Sequence, residues 1–178
     1  MCIRDRSIVI SALIGAFTSY YTHYHYTVPT SEEPNSTLLG TKRPDFSLFD
    51  YKDKQVSISE FDGKVVMINF WASWCPPCRR EIPVFSEVRE FYKENGFEVI
   101  GVAIDEKKEA EEFLNSMPHV QYPQLIGYND ATVVAKSLGN TRGGLPYSVI
   151  LDRNGIIQFT KAGEIKKEEL IDLIEPLF

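Results

Sequence analysis

The sequence predicts an α/β domain built on a mixed β-sheet, and three observations lead there. Val65–Trp71 and Phe97–Ile104 are nearly continuous apolar runs, the mark of buried central strands. Between them Ile82, Phe85, Val88 and Tyr92 recur at helical spacing, so a helix joins the two strands. Near the end of the chain, Tyr147–Leu151 and Ile156–Thr160 flank Arg153-Asn154-Gly155, and strands joined by such a turn pair antiparallel.

Taken in order, residues 1–26 are expected to form an N-terminal membrane anchor or signal segment. Arg4 and Arg6 precede the apolar run Ile8–Phe17, broken by Ser11, and a stretch rich in Tyr and His follows. The run is short for a spanning helix, but extended through Tyr20–Tyr26 it could cross with the rings at the interface. Residues 27–44 carry Pro29, Pro34 and Pro44 among Ser, Thr and Glu, a linker composition. The folded domain is expected over 45–178. Phe46 and Leu48, then Val56 and Ile58, alternate as two short strands around a turn at Asp50–Lys54. Asp62-Gly63 turns the chain into the first central strand. Pro76 and Pro77 fit a helix's first turn, and Asn95-Gly96 ends that helix. Further helices are expected over Lys107–Ser116, Ala131–Leu138 and Lys166–Leu177, with a short extended piece at Leu125–Ile126.

Composition narrows the function. The chain has 19 basic and 25 acidic residues, a net charge of −6, so no basic surface for nucleic acid is expected. The three cysteines are too few for a disulfide-stapled scaffold. Cys75 and Cys78 enclose two residues, and a loop that small restrains the unfolded chain little, so the pair is better explained by chemistry. Cys75 falls at a helix N-terminus, where unpaired N–H groups and the dipole favour the thiolate that attacks disulfides. Cys78 lies about one turn on, placed to close a ring and expel a bound partner. Trp71 and Trp74 offer an apolar surface beside the thiol. A structural zinc needs four ligands, and His119 is the one histidine beyond residue 30, so no metal or other cofactor is expected. Copper delivery through two thiolates is the alternative of another class.

Phe70-Trp71-Ala72-Ser73-Trp74-Cys75-Pro76-Pro77-Cys78-Arg79-Arg80-Glu81-Ile82-Pro83 resembles the TlpA/ResA/CcmG branch of the thioredoxin superfamily, and the likeness extends over about residues 39–178. It implies a thioredoxin-like fold: a central mixed sheet flanked by helices, an N-terminal β-hairpin, and a strand–helix insert between Asp105 and Pro146. It implies dithiol–disulfide exchange, with Cys75 as nucleophile and Cys78 as resolving thiol. It places a cis-proline at Pro146 facing Cys75, with the Leu145 backbone, Trp74, Pro76 and Pro77 meeting the substrate. Asn69 stands where thioredoxin itself has a buried aspartate, and the resemblance makes Glu81 the acid that replaces it. Arg79 and Arg80 are expected to be solvated or to contact partners. The branch implies an extracytoplasmic, periplasmic setting and protein thiol or disulfide substrates, for example apocytochrome c or copper-site proteins. It also implies a membrane-side electron donor. Reduction of substrates is the expected direction, and oxidation is the alternative within the class.

Overall fold

The computed structural model describes residues 38–178, so the anchor or signal segment expected at 1–26 and the linker up to residue 37 lie outside the described residues. The strands are β1 (Ser47–Asp50), β2 (Gln55–Ser57), β3 (Val65–Trp71), β4 (Phe97–Ala103), β5 (Gln124–Ile126), β6 (Tyr147–Leu151) and β7 (Ile157–Ala162). The helices are α1 (Pro76–Tyr92), α2 (Lys107–Asn115), α3 (Tyr128–Ser137) and α4 (Lys167–Ile174). The strands form one sheet in the order β2-β1-β5-β4-β3-β6-β7. β3, β4 and β5 run parallel, while β6, β7 and the β1–β2 hairpin pair antiparallel. This is the mixed sheet and the N-terminal hairpin that the sequence predicts.

Every residue of β3 and β4 is buried, because helices cover both faces of these central strands. One core unites Met67, Trp71 and Val99 with Ile82 and Phe85 of α1, Phe113 of α2 and Leu170 of α4. The other packs Ile68, Phe70 and Ile100 against Val134 and Leu138. Alternation along β3 therefore sends Met67, Asn69 and Trp71 toward α1, and their even-numbered neighbours the other way.

Three local differences have identifiable causes. Ile58 does not extend the hairpin but opens a 3₁₀ turn, Ile58–Phe61. Ser57 and Glu60 form a reciprocal capping box there, which satisfies backbone N–H groups that a strand would have paired. The last helix stops at Ile174 and tightens into a 3₁₀ turn over Glu175–Leu177, since Pro176 cannot donate an α-helical bond. The domain also begins earlier than composition suggests. Of the expected linker, residues 40–43 are docked: Gly40 N donates to Ile157 O at 2.8 Å and Arg43 N to Gly155 O at 2.9 Å. The Arg43 side chain is buried and paired with Asp45 and, at 2.6 Å, with Asp62. A linker composition does not disclose such long-range pairing.

Candidate active site

β3 ends at Trp71, and the next turn delivers Cys75 as the N-cap of α1, with Pro76 and Pro77 in the first turn. Two bonds brace that turn. Ser73 N donates to Asp105 Oδ2 at 2.7 Å, and Cys75 N to Ala72 O at 3.1 Å. Asp105 follows β4, so a carboxylate at the end of the neighbouring strand anchors the loop. Cys75 Sγ accepts from Cys78 N at 3.4 Å, a cap made by sulfur at the positive end of a 17-residue helix.

A disulfide joins Cys75 and Cys78, with Cα atoms 5.4 Å apart. Cys78 is fully buried and Cys75 keeps 3% of its surface exposed, so contact with solvent falls to Cys75. Trp74 beside it is 65% exposed, a large apolar surface at the mouth of the site. Pro76 is exposed and Pro77 half-buried. The Leu145–Pro146 peptide bond is cis. Antiparallel pairing of Phe70 with Tyr147 places Pro146 beside the end of β3 from which the dithiol loop springs. Half-buried Leu145 packs against both cores there. Asn140 Nδ2 holds the loop ahead of it by donating to Gly144 O at 2.9 Å.

Glu81 lies three residues beyond Cys78, on the same face of α1, and is 1% exposed. Asn69 Nδ2 donates to Glu81 Oε1 at 2.8 Å and to Ser148 Oγ at 3.1 Å. Ile165 N donates to Glu81 Oε2 at 3.1 Å. Burial raises the Glu81 pKa to about 7 against the pull of these bonds, because two donors do not replace the lost hydration of a carboxylate. Nearby Glu164 raises it further and Lys161 lowers it. Arg80 pairs with Glu164 at 2.5 Å. The Arg79 guanidinium sits 5.1 Å from the Phe113 ring centroid, so its charge rests on the protein's own surface.

The structure thus brings together Cys75, Cys78, the Leu145–Pro146 bond and Trp74 at one end of the central strands, with Glu81 beneath them. Asp105, Ser148 and Ile165 were not legible as parts of this site. Ser148 is 79 residues from Asn69 and Ile165 is 84 from Glu81, and no local pattern announces either pairing.

A dithiol capping the helix that follows a central β-strand, opposite a cis-proline, defines a thioredoxin-type redox site. The matches of the whole chain agree: a family model described as Redoxin covers residues 38–173, and the chain belongs to that family. The thiol-disulfide oxidoreductase ResA of Geobacillus kaustophilus is 30% identical over 165 residues, covering 92% of this chain and 87% of the relative. The ResA of Bacillus thuringiensis subsp. konkukian is 31% identical over 175 residues, covering 97% and 94%. Among solved structures, a thiol:disulfide interchange protein of the thioredoxin family from Chlorobium tepidum superposes with a TM-score of 0.68 at 25% identity. That match covers 78% of this chain and 96% of the other. The thioredoxin domain of a thiol-disulfide oxidoreductase from Bacteroides vulgatus gives 0.67 at 26% identity, covering 79% and 98%. The protein is a thiol–disulfide oxidoreductase of the TlpA/ResA/CcmG type, acting on protein thiols.

Proposed function

We propose that the protein reduces disulfides of other proteins outside the cytoplasm, with Cys75 attacking and Cys78 resolving. The observation that supports these roles for the two thiols is the asymmetry of the pair. Cys75 reaches solvent at the helix N-terminus, while Cys78 is sealed above a carboxyl that titrates near neutrality.

In the reduced enzyme the Cys75 thiolate attacks one sulfur of a substrate disulfide. A Cys75–substrate bond forms, the substrate bond breaks, and the second substrate sulfur leaves as a thiolate. Cys78 gives up its proton and attacks Cys75 Sγ. The enzyme disulfide closes, the Cys75–substrate bond breaks, and the first substrate sulfur, the one Cys75 attacked, leaves as a thiolate with the electron pair. Glu81 takes the Cys78 proton: a carboxyl near pKa 7 can accept at neutral pH and be restored by solvent protons. The Leu145 backbone and Trp74 seat the substrate beside Cys75. An external dithiol donor then reduces the enzyme again.

The apolar run Ile8–Phe17 followed by a Pro-rich stretch supports tethering of the domain to a membrane from residues 1–26. That setting suits a membrane-side electron donor, and apocytochrome c or copper-site cysteines as substrates. No helix among the described residues is long and apolar enough to cross a membrane. The test is Cys78→Ser in the native compartment. Attack survives and resolution does not, so disulfide-linked adducts accumulate and dissolve with reductant. A variant that traps no thiol partner, beside a wild type that fails to reduce a model protein disulfide, defeats the proposal.

A further inference from the structure

The strand registers align a polar row across the sheet under α1. Lys161 pairs with Ser148, Ser148 with Asn69, Asn69 with Gly101, and Gly101 with Gln124. The neighbours of Gly101 and Gln124 on this face, Val99, Ala103, Tyr122 and Ile126, all belong to the core beneath α1. Gly101 leaves room for a side chain from the next strand. A Cβ there would fall 2.7 Å from Gln124 Cδ, 2.8 Å from its Nε2, and closer still to its Oε1. The Gln124 amide therefore lies over Gly101, next to the Asn69 side chain.

Its orientation is determined. Trp71 Nε1 donates to Gln124 Oε1 at 3.0 Å, and an indole N–H can only donate. Gln124 must turn its oxygen to Trp71, which leaves Nε2 as a donor for the row. Among the described residues, Gln124 Nε2, Asn69 Oδ1 and Tyr122 Oη are buried without a partner at full hydrogen-bond geometry, although the Gln124 amide is near enough to the Tyr122 hydroxyl to pull its pKa down against the rise that burial causes. The first is a donor and the second an acceptor on adjacent strands. Tyr122 precedes Gln124 by two residues on the same face.

We propose that Gln124 is a positioning residue for Glu81: its amide links to Asn69 Oδ1 and holds the Asn69 N–H turned toward the carboxylate. A small rotation of the Gln124 amide, or one internal water shared with Tyr122 Oη, completes the link. The result is a directional chain running from Trp71 through Gln124 and Asn69 to Glu81. An asparagine amide could rotate half a turn and accept from a protonated Glu81 instead. Gln124 prevents this, so the ionised carboxyl is matched and the protonated one is not. Other groups act on Glu81 from the elements around it: Arg80 on α1, paired with Glu164; Lys161 on β7, paired with Glu169; and the buried Tyr122 hydroxyl. None of them sets the sense of the Asn69 amide.

The inference deepens the proton-carrying role given to Glu81 and rests on it for any effect on exchange. Its test needs no substrate, so the two readings fail separately. In the oxidised full chain, the Glu81 side-chain carboxyl is titrated by carbon NMR while the side-chain amides of Asn69 and Gln124 and the Trp71 indole are followed. The Gln124 amide should move with the Glu81 midpoint. In Gln124→Leu that midpoint should rise by about one unit, because Asn69 is released to favour the protonated form. Gly101→Ala, which displaces Gln124 from outside the chain of bonds, should reproduce the rise. A Gln124 amide that stays still while Glu81 titrates in the wild type overturns the assignment, and so does a folded Gln124→Leu protein with an unmoved midpoint. The wild-type measurement decides even where a variant fails to fold.

Discussion

Replacing Glu81 by Gln removes one buried titration and should change how stability depends on pH. Burial lifts this carboxyl from an ordinary 4.5 to about 7. Between those values the folded chain binds a proton that the unfolded chain has released, so stability falls as pH rises. The contribution of the neutral acid is full below pH 4.5, declines through the folded pKa near 7, and levels off above it. The interval of roughly 2.5 units corresponds to about 3 kcal/mol. Glutamine is neutral throughout and close in size. Because it does not titrate, any offset it brings in packing or hydrogen bonding is the same at every pH. The assay is urea unfolding of oxidised wild type and Glu81→Gln between pH 4.5 and 8.5, the disulfide keeping both thiols out of the titration. The difference between the curves should shift by about 3 kcal/mol in favour of Gln across the range, most steeply between the unfolded and folded pKa values and levelling off above pH 7. A difference flat to within about 0.5 kcal/mol, as for surface substitutions, would mean that Glu81 is ionised throughout and that its two hydrogen bonds outweigh burial.

Other outcomes follow from the same geometry. Limited alkylation of the reduced protein near neutral pH should label Cys75 well before Cys78, since Cys75 alone of the two keeps a solvent-exposed edge; peptide mapping that finds Cys78 labelled first reverses the roles. Ser57→Ala should destabilise the domain by about 1 kcal/mol in urea titrations through loss of the cap on the 3₁₀ turn. Asp105→Ala should free the Ser73 N–H and loosen the dithiol loop, lowering the exchange rate more than the melting temperature; equal exchange rates would reduce Asp105 to a turn former. Fractionation of cells carrying the full chain should find it with membranes and lose it from them when residues 1–26 are deleted.

What could be read in the sequence and what could not divide along a physical line. Central strands β3 and β4 announce themselves because burial on both faces demands unbroken apolar runs. The dithiol announces itself because nucleophile, capping position and resolving thiol are packed into four consecutive residues at one strand–helix junction. The partners of Glu81 do not, because they are assembled by register: Ile165 and Ser148 reach the site only after the C-terminal hairpin has docked against β3. Ser57 is a different case. Its capping box with Glu60 was present in the sequence, but the alternation of Val56 and Ile58 reads as a strand, and the backbone follows the cap.

The buried carboxyl also sets a limit on the dithiol. In the oxidised state Glu81 feels no thiolate and titrates near 7. Reduction places a second ionisable group one turn away on the same helix face, in surroundings with little water to screen the pair. The helix N-terminus favours negative charge at Cys75, but Cys78 lies inside the first turn and toward the core. A thiolate at Cys78 would compete with a carboxylate at Glu81 for one negative charge, so a pH titration of thiolate absorbance in the reduced protein should show two coupled steps, and a single step unchanged in Glu81→Gln would refute the coupling. The competition serves the chemistry. Cys78 attacks the mixed disulfide once Glu81 can take its proton, and that attack is what expels the bound substrate thiol. Asn69 supports the ionised form of Glu81 from the strand below, where an aspartate would add a third acid to the same dry space and hold the resolving thiol protonated to still higher pH.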